Sequence, residues 1–190
     1  ADFADIDNDG DFDCLVTNHS ATLLLLENDG TGNFTDITAG SGLEVTGFFL
    51  QAKLEDFDND GFVDLVYSGG AHAYFKNNGD QTFSNVPGMF PYGDTMHSFA
   101  TGDVNRDGQV DLYASYGNGY VSADNGNDDV LWINNGNPGQ HWITFELEGF
   151  QSNRDAVGAT VEITGSFGTQ VRSVRAGESY GMTSTFSCHF

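Results

Sequence analysis

The chain has 190 residues, 28 acidic against 6 basic side chains, and a formal net charge of −22. Such a field opposes nucleic acid, where affinity comes from cations meeting phosphates, and disfavours anionic membrane surfaces. No apolar run reaches the length of a membrane span and no secretory leader is visible, while 16 Phe, 7 Tyr and 2 Trp supply enough apolar material for packed β cores and argue against disorder.

In chain order, the first predicted element is an acidic loop, Asp5-Ile6-Asp7-Asn8-Asp9-Gly10-Asp11-Phe12-Asp13. Only Ala1-Asp2-Phe3-Ala4 precedes it, and a β-prone run, Cys14-Leu15-Val16-Thr17, follows. A second apolar run, Leu23 to Leu26, leads into the hairpin signal Glu27-Asn28-Asp29-Gly30 and then Phe34. The order returns after Phe48-Phe49-Leu50. It comprises the loop Asp56-Phe57-Asp58-Asn59-Asp60-Gly61-Phe62-Val63-Asp64, the runs Leu65-Val66-Tyr67 and Ala73-Tyr74-Phe75, the turn Lys76-Asn77-Asn78-Gly79, and Phe83. After His97-Ser98-Phe99-Ala100 stands a third loop, Asp103-Val104-Asn105-Arg106-Asp107-Gly108-Gln109-Val110-Asp111, then Leu112-Tyr113-Ala114, Val130-Leu131-Trp132-Ile133 and Asn134-Asn135-Gly136. This third copy carries a Gly-, Asn- and Asp-rich insertion from Tyr116 to Asp129. The loops begin 51 and 47 residues apart, a spacing suited to the four-stranded unit of a β-propeller.

Each loop sets side-chain oxygens at positions 1, 3, 5 and 9 around a glycine at position 6. The ligand set is Asp5, Asp7, Asp9 and Asp13 in the first; Asp56, Asp58, Asp60 and Asp64 in the second; Asp103, Asn105, Asp107 and Asp111 in the third. Position 7 (Asp11, Phe62, Gln109) would add a backbone carbonyl. With a bidentate Asp at position 9 the count is about six oxygens, and water completes the six to eight that Ca²⁺ prefers. One such loop reads equally well as a solvated turn, since Asp, Asn and Gly are turn residues; three in matched contexts favour the metal. They are not EF-hands, because position 12 holds Val16, Tyr67 and Ala114 instead of Glu, and the flanks read as strands. The third loop is expected to bind weakest, having Asn105 for a carboxylate and Arg106 beside the site.

These residues resemble the FG-GAP or VCBS-type repeats of integrin-like β-propellers over roughly residues 1–137. From His141 on the chain is similar to the ASPIC/UnbV domain of secreted cartilage-acidic-protein-like and bacterial extracellular proteins. That likeness rests on His141-Trp142-Ile143, Leu147-Glu148-Gly149 and Ser152-Asn153-Arg154-Asp155-Ala156-Val157-Gly158-Ala159. The resemblance implies an all-β fold, with a partial β-propeller of about three calcium-binding blades in residues 1–137 and a small β domain in 138–190. Three blades are too few to close a propeller, the first loop lacks a clear preceding strand, and no initiating Met is present, which points to a removed upstream segment. The chain is then a piece of a longer propeller, or a unit whose open sheet edges take a strand from a neighbouring copy and build a head-to-tail ring or filament.

Cys14 stands at the repeat position of Leu65 and Leu112 and reads as a small core hydrophobe, the alternative being a disulfide to Cys188. Asn18-His19-Ser20 and Asn33-Phe34-Thr35 are glycosylation acceptor sequons at Asn18 and Asn33. Arg154 reads as a loop pin to Asp155 or a neighbouring blade, the alternative being a ligand carboxylate. No nucleophile, base or His cluster has catalytic spacing, so no enzyme activity is expected of this chain. The sequence therefore points to an extracellular, calcium-stabilised adhesive, scaffold or structural module with a protein or glycan ligand. The alternative is a non-catalytic ligand- or glycan-binding appendage of a larger extracellular enzyme.

Overall fold

The computed structural model describes residues 1–90, 95–117, 128–137, 139–178 and 180–190. The proposed insertion from Tyr116 to Asp129 therefore lies largely outside the described residues. Among the described residues there is no helix, and hence none long and apolar enough to cross a membrane.

Among the described residues, seventeen short strands carry the fold. They are β1 (Asp2–Ala4), β2 (Asp13–Val16), β3 (Ala21–Thr22), β4 (Leu24–Asn28), β5 (Phe34–Asp36), β6 (Thr46–Gly47), β7 (Phe49–Glu55), β8 (Asp64–Gly69), β9 (Ala73–Asn77), β10 (Phe83–Asn85), β11 (Thr95–Gly102), β12 (Asp111–Gly117), β13 (Val130–Trp132), β14 (Thr144–Phe145), β15 (Thr160–Gly165), β16 (Gly168–Ser173) and β17 (Cys188–His189). One antiparallel sheet runs β1-β2-β4-β5. A second holds the meander β7-β8-β9-β10 and the strands β11-β12-β13, joined through a single register pair, Met96 opposite Gly69. Among the described residues the strands form no closed propeller sheet. The first acidic loop does have a strand before it, contrary to expectation: the three residues of β1 pair with β2, with Asp2 opposite Leu15.

Side chains alternate across each strand, as a two-residue period requires. On β8, Leu65 and Tyr67 enter a core shared with Ile6, Leu15, Leu25 and Leu43 of the first sheet's segment, whereas Val66 points the other way. There it joins Tyr74, Met96, Phe99 and Leu112 in a second core. Phe49 and Tyr67 meet edge to face in the first core, their rings 5.0 Å apart. The C-terminal segment has its own small core of Val174, Cys188 and Phe190 against Phe145, Leu147 and Val161, built on the pairs β14-β17 and β15-β16. Cys14 and Cys188 are both buried and free, so the alternative of a bridge is not realised. Arg154 pairs with Glu148 rather than Asp155, Nε to Oε1 at 3.2 Å on an exposed surface.

Candidate metal centres

Each acidic loop is the hairpin turn between two antiparallel strands, closed at the same register. Ala4 pairs with Asp13, Glu55 with Asp64 and Gly102 with Asp111, so the residue before position 1 always faces position 9. The backbone repeats as well. Position 4 is left-handed in all three loops (φ 61° at Asn8, 56° at Asn59, 62° at Arg106), and so is the position-6 glycine (φ 99°, 95° and 83° at Gly10, Gly61 and Gly108). Glycine carries no Cβ penalty there, and Asn tolerates the region better than most residues.

The two left-handed turns curl the chain around the first aspartate. Oδ1 of Asp5, Asp56 and Asp103 accepts the N–H of position 5 at 3.1, 3.2 and 3.1 Å, and Oδ2 accepts that of Gly10, Gly61 and Gly108 at 3.2, 2.8 and 2.9 Å. The position-5 carboxylates of Asp9, Asp60 and Asp107 accept the N–H of position 7. The ninth-position aspartate closes the loop: Oδ2 of Asp13, Asp64 and Asp111 accepts the N–H of Ile6, Phe57 and Val104 at 3.0, 3.3 and 2.9 Å. Its Oδ1 accepts the N–H of Asn28, Asn77 and Asn134 at 2.9, 2.8 and 2.8 Å.

Carboxylates converge in two of the loops. Asp5, Asp7 and Asp13 bring one oxygen each within 4.8 Å of one another, and Asp56, Asp58 and Asp64 do the same. Such clustered acids could hold a metal ion. The donor set is all oxygen and suits a hard cation, and Asp58 Oδ1 and Asp11 Oδ1 are buried with no hydrogen-bond partner. Burial lifts the carboxyls of Asp5 and Asp56 to about 6 and those of Asp13 and Asp64 to about 7, against the hydrogen bonds that favour their charged forms. The neighbouring aspartates push the same way. Asp9 and Asp60 stand outside these trios. The third loop contributes no trio among the described residues, because position 3 is Asn105, whose Nδ2 donates to Asp107 Oδ2 at 2.8 Å.

Several participants are visible only in three dimensions. Asn77 Nδ2 donates to Val63 O of its own loop (3.1 Å) and to Ile6 O of the preceding loop (2.8 Å); Asn134 Nδ2 reaches Val110 O (3.2 Å) and Phe57 O (2.7 Å) in the same way. The position-4 amides continue the chain of contacts, Asn8 Nδ2 to Gly61 O at 3.1 Å and Asn59 Nδ2 to Gly108 O at 2.8 Å. Tyr74 Oη donates to Asp64 Oδ2 at 2.8 Å. The Lys76 ammonium bonds both Asp58 and Asp60, and although burial works against its charge, those carboxylates hold it above the ordinary lysine range. Asn28, Asn77 and Asn134 recur in register, a signal the sequence did carry. Lys76, at a repeat position in a chain with few cations, was a weaker one.

An all-β repeat protein with an acidic hairpin turn in each repeat is the class that fold and loops define. The chain belongs to the FG-GAP-like repeat family, whose model matches residues 5–67 and 56–114, and an ASPIC and UnbV domain follows at residues 149–190. A comparison with curated proteins found no match.

Proposed function

We propose that the three loops bind Ca²⁺ and that the chain is an extracellular, calcium-stabilised module with an adhesive, scaffold or structural role. In this reading the strands form about three blades of a partial propeller, β1-β2-β4-β5, β7-β8-β9-β10 and β11-β12-β13, followed by a small β domain. The carrying observation is the threefold return of one loop geometry, down to the left-handed positions and the aspartate at position 9 closing onto position 2. Calcium fits better than magnesium because short loops with mixed carboxylate and carbonyl donors suit its variable set of six to eight ligands, whereas magnesium needs a tighter octahedron. Asp5, Asp7 and Asp13, then Asp56, Asp58 and Asp64, then Asp103, Asn105 and Asp111 would hold the ions. The family's typical extracellular setting, where calcium is abundant, accords with this. Equilibrium dialysis with metal analysis tests it: about three calcium ions per chain are expected, and none at millimolar calcium would overturn the reading.

A second reading, a ligand- or glycan-binding appendage, is favoured by a cleft of about 540 Å³ lined by Tyr74, Phe90 and Trp132 with Asn134, Asn135 and Asn137. Aromatic walls with a few amides are the make-up of a small-molecule site. Glycan-array binding lost in Trp132→Ala would support it, and an array without signal would remove it. Asn18 and Asn33 are both exposed, as glycosylation would require.

A further inference from the structure

The residue just before the recurring asparagine (Asn28, Asn77 and Asn134) is Glu27 in the first repeat, Lys76 in the second and Ile133 in the third. In the first two it faces the third position of the metal loop. Gln81 Nε2 donates both to Glu27 Oε1 (2.6 Å) and to Asp7 Oδ2 (2.7 Å), which ties Glu27 to the Asp7 carboxylate. In the second repeat the Lys76 ammonium bonds Asp58 and, at 2.6 Å, Asp60 Oδ2, and so stands where positive charge is wanted. One structural position thus carries a negative, a positive and a neutral side chain in successive repeats.

We propose that Lys76 is a built-in counter-ion of the second loop that competes with the dication, so that this loop binds Ca²⁺ more weakly than the first and expels the ammonium on filling. The proposal rests on the reading of the loops as calcium sites. Lys76 reduces the field that draws a dication to Asp56, Asp58 and Asp64, and filling the loop requires breaking its two charge-assisted bonds. Glu27 acts in the opposite sense, adding a carboxylate beside the first loop. The third loop, with Ile133, has neither effect.

Calorimetric titration of the 190-residue chain with calcium alone tests this. The first-loop step is identified as the one lost in Asp7→Ala and the second-loop step as the one lost in Asp58→Ala, which remove the position-3 oxygen altogether. In the unaltered chain the second-loop step is expected to be the weaker of the two. Lys76→Met should tighten it by about tenfold or more, the size of one removed contact charge, and leave the first-loop step unchanged. Lys76→Gln should act like Lys76→Met, and Lys76→Arg should not, with thermal melts showing that each variant folds. A second-loop step that neither Lys76→Met nor Lys76→Gln tightens, in a chain that binds calcium, would overturn this proposal and leave the calcium reading standing. A folded chain that binds no calcium would overturn both.

Discussion

Asn77 shows how much one buried side chain can hold. It is 1% exposed, donates to carbonyls of two successive loops, and its Oδ1 accepts the Gly79 N–H at 2.9 Å. Asn77→Ala leaves the Ile6 and Val63 carbonyls unpaired in the interior. A loss of about 2–3 kcal/mol is expected in urea unfolding, because orphaned buried groups forfeit their full desolvation; a loss below ~0.5 kcal/mol would show that the bridge carries no weight. The buried aspartates give a pH signature. Their folded carboxyls titrate near 6 to 7 against a usual 3.8, so the metal-free native state binds protons more tightly than the unfolded chain. That contribution is complete below the unfolded value and is lost as pH rises through 6 to 7. The metal-free melting temperature should therefore fall from about pH 5 to about pH 7.5. With calcium, which needs the ionised carboxylates, it should rise over the same range. A metal-free melting temperature that rises instead would contradict the burial argument.

At the level of the loop and its two strands, the three copies share a backbone but differ in what lies over their glycines. A Cβ at Gly10 would meet nothing within 4 Å, whereas one at Gly108 would run into the indole of Trp142. Gly10→Ala should cost only the strain of its left-handed backbone, about 1 kcal/mol. Gly108→Ala should cost more and displace Trp142, seen as a shift in tryptophan fluorescence; equal costs would show that Trp142 does not pack on the third loop. The loops and their flanking strands were legible in the sequence because they are local: alternation of apolar residues, a glycine at a fixed position, and oxygens at fixed offsets. Strand β1 was missed because three residues give too short a pattern to read. Lys76, Tyr74, Gln81 and His189 were missed as site residues for a different reason. Their contacts with Asp58, Asp64, Asp7 and Asn59 span 10 to 130 positions, which periodicity does not reveal.

Across the whole molecule, the C-terminal segment packs over the turns of the loops. His189 Nε2 meets Asn59 Oδ1 at 2.8 Å, Trp142 stacks on His189 and covers Gly108, and Gln170 lies over Gly61. Beside this contact lies a buried ion-pair cluster. Lys53, 5% exposed, bonds Glu178 Oε2 at 2.8 Å, while Arg175 reaches Asp2 Oδ1 at 2.7 Å and its Nε lies 2.6 Å from Glu178 Oε1, close enough to pair but not aligned for a hydrogen bond. Glu178→Ala should destabilise the chain by about 3 kcal/mol, since it strands buried positive charge; an unchanged melting temperature would show the cluster to be idle. Asp2 also accepts the Leu54 N–H at 2.6 Å, which ties the β1 edge to β7, so assembly by strand addition would use other sheet edges, such as β5, β10 and β13. Such assembly would make the mass from light scattering rise with concentration, and a constant monomer mass would end it. The central claim, that calcium holds the loops and through them the fold, is tested most directly by thermal unfolding of the chain in calcium and in excess chelator. The account predicts a large fall in melting temperature on chelation, since each filled site adds about 2.7 kcal/mol at a hundredfold excess over Kd. An unchanged melting temperature would contradict it and leave the acidic loops as solvated turns.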